Sequence, residues 1–479
     1  MIHIRTPCRV LDRRLAALVL LWILAQLMGL SPCKGFSASG EDTPLPEVPA
    51  VEQSVIPTEA STASVFSASQ YQLFPLSQAP QDFSPLPQPI WSTSNATFRL
   101  RGRIDYDMLS VSQSAKNQAA FGDLPDTAGL RRARIGAEGH FSDDARYLAE
   151  LDFASGQVVI RDLFAGVGDV ADAGELKFGH MREPFSLEGG TSANTFAFME
   201  RSPINDLDPA RNWGVGFTKS GPNDDSTFSC GIFQSGMGPN DFGIVDGSET
   251  SVTGRWTRLL RYEDEGRRFI HFGFATSSRI PDRQVVVINL RPSSPLLDLS
   301  DSSASAFVPK VAIPASYQQL FNAQWACNNG SFWSQAEWNG SVIHSLDGQT
   351  IFLHGTYLAA GYFLTGEHRD YQKQSGINGP IKVARPFLSG FSSTSIERPP
   401  GYGAWEVAAR VSYLDFSDTA NVTSQQIVGT RLPQATIGVN WYLADRFRLM
   451  FNYYHSMPDL TTTGNSTASV FATRVAMFW

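Results

Sequence analysis

Arginines at alternate positions in two neighbouring stretches are the strongest chemical signal in the chain. In FRLRGRIDYD, Arg99, Arg101 and Arg103 share one side of an extended segment with Asp105 and Asp107, while Phe98, Leu100, Ile104 and Tyr106 share the other. Residues two apart lie on one face of a strand. LRRARIGAEGHF adds Arg132, Arg134 and Glu138. A row of guanidiniums lets an anion trade hydration for bidentate contacts in successive steps. The competing reading is structural: the arginines pair with carboxylates such as Asp105, Glu138, Glu150 and Asp152 and stiffen a wall. Arg410, Arg448 and Arg474 fall on the polar faces of three later alternating segments and are expected in the same lumen.

Other chemistries have little to build on. The chain has no His-Glu-x-x-His, Gly-x-Ser-x-Gly, phosphate-binding Gly-rich loop or Cys-x-x-Cys, and its eight His are dispersed. Asp143-Asp144 and Asp224-Asp225 sit in turn-like stretches, where solvation accounts for them. No enzymatic activity, metal or cofactor is expected. The formal net charge of -8 lacks the clustered basic excess that a nucleic-acid partner requires.

The elements that must carry the arginines are strands. Trp405, Val407, Ala409, Val411 and Tyr413 alternate with Glu406, Ala408, Arg410 and Ser412. Ile437, Val439 and Trp441 lead through Ala444-Asp445 into Phe447, Leu449, Phe451 and Tyr453, and the final segment alternates to Trp479. One apolar and one polar face on each of many strands of about ten residues, rich in aromatics, describes an all-β, transmembrane antiparallel β-barrel of about 16 strands. The expected strands are 98–108, 130–141, 145–154, 157–167, 174–181, 212–219, 226–235, 251–262, 268–278, 317–327, 331–344, 350–364, 403–415, 434–443, 446–456 and 468–479. Apolar side chains would meet lipid, with Trp405, Trp441 and Phe451 among them, and polar ones the lumen. Short turns then gather at one end and long connections at the other. Two things fit badly: the connection 365–402 is long and falls at the short-turn end, and the turns at 155–156 and 345–349 are short at the other, which leaves room for a miscounted strand there.

Ahead of the barrel, expected over 93–479, Arg5, Arg9, Arg13 and Arg14 precede the apolar run Leu15 to Leu30, which reads as a secretory signal peptide over 1–39. A membrane anchor is the alternative. Residues 40–92 are rich in Pro and Ser and acidic, with no basic residue between Lys34 and Arg99, and are expected to form a disordered linker. Cys230 and Cys327 fall on separate, non-adjacent strands and read as small buried hydrophobes rather than a disulfide.

One connection is too apolar to be a solvated flap. REPFSLEGGTSANTFAFMERSPINDLDPAR, residues 182–211, is expected to fold against the lumen wall as a constriction loop carrying Glu183, Phe185, Glu188, Phe196, Phe198, Glu200 and Arg201. A surface loop packed on its neighbours is the alternative.

GLRRARIGAEGHF, FGHMREPFSLEGGTSANTFAFMERS, DPARNWGVGF, GYFLTGEHRDY, GAWEVAARVSYLDF and IGVNWYLADRFRLMFNYYHS, in that order across about 98–479, resemble the recurring motifs of the phosphate-selective porin O and P family. The resemblance implies a sixteen-stranded bacterial outer-membrane barrel, often a homotrimer, that passes small hydrophilic and commonly anionic solutes past a constricting third external loop. Its partners would be outer-membrane lipid and small anionic or polar solutes. The family's phosphate-selective members also use lysine-rich funnels, whereas here Lys116 stands alone in 109–129 and 182–211 contains none. The expectation is therefore an anion-leaning or general porin. Beyond residue 98 the chain carries 33 basic and 39 acidic residues, so any anion preference must be local. A non-conducting barrel serving as anchor or adhesin is the alternative function.

Overall fold

A computed structural model describes residues 91–479 except 94–95, 143, 155, 169–173, 236–248, 289–310, 389–400, 422–428 and 462. The expected signal peptide and nearly all of the proline-rich segment lie outside the described residues.

Sixteen long strands run antiparallel in chain order. The first eight are β1 (Thr97–Gln113), β2 (Thr127–Ser142), β3 (Ala145–Asp152), β4 (Val159–Val167), β5 (Glu175–Arg182), β6 (Arg211–Ser220), β7 (Ser226–Ser235) and β8 (Glu249–Glu263). They continue as β9 (Arg268–Ile280), β10 (Val311–Asn329), β11 (Phe332–Ser345), β12 (Thr350–Phe363), β13 (Ala404–Asp415), β14 (Thr430–Ala444), β15 (Phe447–Ser456) and β16 (Ala468–Phe478). Each pairs with the next, and β16 pairs with β1 from Arg103↔Phe478 to Gln113↔Ala468, which closes the ring. Closure gives each of the sixteen two neighbours, as strands crossing hydrocarbon require, because an open edge there would leave backbone groups unpaired. All sixteen expected strands are present. β1 and β10 run several residues further than the alternation suggested.

Leu100, Ile104, Leu130, Ile135, Trp256, Phe274, Val411, Ile437 and Phe471 are exposed on the outer face. Trp441 departs from the expected exposure: it is fully buried, stacked on Trp405 at 5.0 Å and edge-on to Phe387 at 5.2 Å. The chain after β12 folds back over it, and Phe387 N–H donates to Leu443 O.

The inner face is less uniformly polar than the alternation implied. Along β11–β14, Ile343, Ile351, Leu353, Leu414 and Leu432 are buried in one cluster with Phe198, Ile204 and Leu207 of the segment between β5 and β6. A lumen that receives an apolar loop needs an apolar wall to receive it.

The awkward connection 365–402 does not reflect a miscounted strand. Its described part folds as a hairpin, Arg369–Gln372 against Ile377–Ile381, whose side chains bond to inward residues of the wall. Tyr371 Oη lies 2.7 Å from His271 Nδ1, and Asn378 donates to Gln335 at 2.9 Å. Arg255 of β8 donates to Ser375 O and Gly376 O at the turn, at 3.0 and 2.6 Å. Gly376 has φ of 63°, and a Cβ there would meet Thr257 Oγ1 at 2.6 Å, so both backbone shape and contact call for glycine.

Candidate functional site

The site begins with how the loop enters the lumen. Just after β5, Glu183 is buried and accepts from Asn212 at 2.6 Å, Ser251 at 3.2 Å and Arg279 at 3.1 Å. Phe185 packs with Ala275 and Leu320. Ser186 then caps a short turn of helix, Leu187–Gly190. The Leu187 and Glu188 N–H groups both donate to Glu337 of β11 at 2.7 Å. Glu188 accepts from Ser202 N–H at 2.9 Å and Asn205 at 2.6 Å, pinning the outgoing limb of the loop to the incoming one.

Three arginines expected on the anion path hold this loop instead. Arg410 lies over the Phe198 ring at 4.6 Å and donates to Glu188 Oε1 and Glu200 O. Arg448 donates to Phe196 O at 2.8 Å and Ala193 O at 2.9 Å. Arg474 binds Asp107 at 2.6 Å, Met199 O at 2.5 Å and Glu200 at 2.7 Å. All three are buried and none lines open space. Their parity points inward as expected, but the loop stands between them and water. Arg201 of the loop lies over Phe196 and donates to Glu188 O, Gly189 O and Thr191 O.

Beside the loop lies a cavity of about 1130 Å³. Arg101, Arg103, Arg132 and Arg134 line it together with Glu138 and Glu150, whereas Asp105 and Asp152 are buried behind the lining. Arg99 stands opposite Glu138 in the β1–β2 register but does not reach the cavity lining. These arginines are paired, not bare. Arg101 binds Glu138 at 2.7 Å and Glu150 at 3.2 Å, and Arg134 binds Glu150 at 3.1 Å and Asp152 at 2.8 Å. Arg103 and Arg132 each bind Asp105 at 2.8 Å.

Two further arginines enter the lumen through irregularities that strict alternation hides. Between β1 and β2 the register passes from Asp105↔Arg132 to Tyr106↔Leu130, leaving Arg131 as an extra residue. Between β3 and β4 it passes from Glu150↔Asp162 to Leu151↔Ile160, leaving Arg161 extra. β-Bulges of this kind re-aim side chains, and both arginines line the cavity. The first left a trace in the sequence: Leu130, Ala133 and Ile135 cannot all face outward without a break in parity near Arg131. Arg182, Arg201, Arg211 and Arg279 complete the guanidinium lining, and Lys382 and Arg446 join it near the folded-back connection.

Glu200 lies where loop and wall arginines meet. It accepts from Arg131 at 2.9 and 3.0 Å, from Arg132 at 3.3 Å and from Arg474 at 2.7 Å. Burial works against its ionisation, but Arg131, Arg132 and Arg474 hold its carboxyl well below the usual carboxylate range. Asp208, at the end of the loop, behaves oppositely. Burial, with Glu337 beside it, pushes Asp208 well above that range, and it accepts from Asn339 at 2.6 Å. Among the described residues no group of His, Cys, Asp and Glu is arranged to hold a metal ion.

A closed antiparallel barrel, entered by a loop that narrows it and leaves a cavity lined with charged side chains, has the architecture of a porin. Residues 98–477 match the family described as phosphate-selective porin O and P, and the chain belongs to that family of outer-membrane channels. An uncharacterized protein of Caulobacter vibrioides is 24% identical over 422 residues, covering 86% of this chain and 78% of its own. Porin O of Pseudomonas aeruginosa is 24% identical over 393 residues, covering 77% and 85%. Among solved structures, the in-vitro folded outer membrane protein OmpT of Vibrio cholerae aligns with a TM-score of 0.49 at 11% identity, over 82% of this chain and all of that one.

Proposed function

We propose that the lumen is a passive diffusion path for small hydrophilic solutes that favours anions, and that the preference is set locally by the arginines of β1–β4 and the loop. One observation carries the reading. Among the described residues the cavity is lined by twelve basic side chains (Arg101, Arg103, Arg131, Arg132, Arg134, Arg161, Arg182, Arg201, Arg211, Arg279, Lys382 and Arg446) against eight acidic ones (Glu138, Glu150, Asp162, Glu200, Asp206, Asp208, Glu249 and Asp445). The barrel as a whole is acidic, so the charge of the passage is inverted relative to its surroundings. In a narrow passage with low-dielectric walls that local excess governs which ions enter. The open cavity also favours conduction over a plugged anchor or adhesin.

Reconstitution into planar bilayers tests the proposal: stepwise conductance should appear, and the zero-current potential in a KCl gradient should have the sign of chloride preference. A cation-selective potential would overturn the anion reading, and absence of steps would overturn the channel reading. We take the working assembly to be a homotrimer in the outer membrane. Native mass measurement of the detergent-extracted protein tests it, with a mass of one barrel as the contrary result.

A further inference from the structure

We propose that Glu200 is a tethered competitor for the anion seat of this pore: its carboxylate occupies the guanidinium fork that a passing solute would otherwise use, and so weakens anion binding. The inference rests on the anion-leaning reading above and deepens it.

The fork is Arg131. Its Nε and Nη2 donate to the two oxygens of Glu200 at 2.9 and 3.0 Å, the two-point geometry in which guanidinium takes a carboxylate or a phosphate. Arg132 and Arg474 also reach Glu200, but each has a carboxylate on the wall as well, Asp105 at 2.8 Å and Asp107 at 2.6 Å. Arg131 is inward only because of the β2 bulge, and its ion pair is with Glu200. Arg131, Arg132 and Glu200 all line the open cavity, so this seat borders the solute path.

The carboxylate is not what holds the loop in place. Arg448 holds Ala193 O and Phe196 O, Asn440 holds Ala197 O, Arg474 holds Met199 O, and Arg410 holds Glu200 O. Each of these bonds is to backbone and survives loss of the Glu200 charge. A carboxylate fixed on an anchored loop acts as an intramolecular ligand at an effective concentration of ~mM or more. A diffusing anion must displace it, which lowers apparent affinity and favours rapid passage over retention.

The test uses the full-length protein in planar bilayers, with chloride current recorded in KCl while inorganic phosphate is added. Glu200→Gln keeps the shape and removes the charge, and Glu200→Ala empties the seat. Both should lower the phosphate concentration for half-block by about tenfold or more, with Ala shifted further. Adding Arg131→Ala to Glu200→Ala should abolish the gain. Block curves for both single variants that superpose on the wild type would overturn the proposal. A cation-selective wild type would instead overturn the anion reading itself, so the two failures are distinguishable.

Discussion

Glu337 and Asn339 stand two residues apart on the inner face of β11 and hold opposite limbs of the constriction loop. Glu337 takes the Leu187 and Glu188 N–H groups of the entering limb, while Asn339 donates to Ile204 O at 3.0 Å and to Asp208 at 2.6 Å on the returning one. One short stretch of wall thereby fixes the loop's mouth. Glu337 also accepts from Tyr357 at 2.7 Å and Asn322 at 3.1 Å.

Glu337→Ala should release the loop. It strips an acceptor from several buried donors, each costing roughly 1–3 kcal/mol when left unpaired. The expected result is noisier, larger single-channel conductance and new protease cleavage within 183–210. Conductance and cleavage unchanged from wild type would count against the anchoring role.

Arg410→Ala and Arg448→Ala should act on the loop and not on ion choice. Each leaves buried carbonyls without a donor, at a cost of roughly 1–3 kcal/mol, while the cavity lining keeps its charges. Open-channel noise should rise with little change in the anion-to-cation permeability ratio. A large loss of anion preference with quiet channels would return these residues to the solute path.

Asp208 gives stability a pH dependence of defined sign. Its folded pKa is raised above the unfolded value of about 3.9. Its contribution is therefore fully present below that value and is lost as pH rises through the raised one. Glu200 is the reverse case: with its folded pKa depressed, its contribution is present above the unfolded value of about 4.3 and fades as pH falls toward the depressed one. Thermal melting from pH 4 upward should show a decline in the wild type that Asp208→Asn flattens. Equal slopes for the two proteins would contradict this assignment.

Replacing residues 370–380 with a short Gly-Ser linker should widen the passage, because Gln372 and Ile377 line the cavity and the hairpin turn is tied to Arg255. Single-channel conductance should increase. An unchanged conductance would mean that the hairpin lies outside the limiting section.

The strand ladder was legible because the side-chain period of a strand is two and lipid enforces it over sixteen strands. Inward parity for Arg103, Arg132 and Arg410 followed from the same rule. Parity says which way a side chain points, not what stands opposite. That is why Arg410, Arg448 and Arg474, which carry loop carbonyls, looked the same in sequence as Arg101 and Arg134, which line open space. Arg131 and Arg161 were missed because each is the extra residue of a bulge, where alternation fails. Glu337, Glu406 and Arg369 were missed because their roles depend on long-range contacts. Glu406, for example, binds Arg369 of the hairpin at 2.8 Å and accepts from Trp333, Asn440 and Tyr442.

Charge reversal on the open wall tests the central claim most directly. Arg101 and Arg134 line the cavity and are not among the residues that bond to the loop. A unit charge ~5 Å from a permeant ion is worth roughly 0.8 kcal/mol even in bulk water, and more in a confined passage. The Arg101→Glu/Arg134→Glu double variant should therefore shift the zero-current potential in a KCl gradient toward the cation sign while stepwise conductance persists. A potential identical to that of the wild type, in channels of normal conductance, would contradict the account.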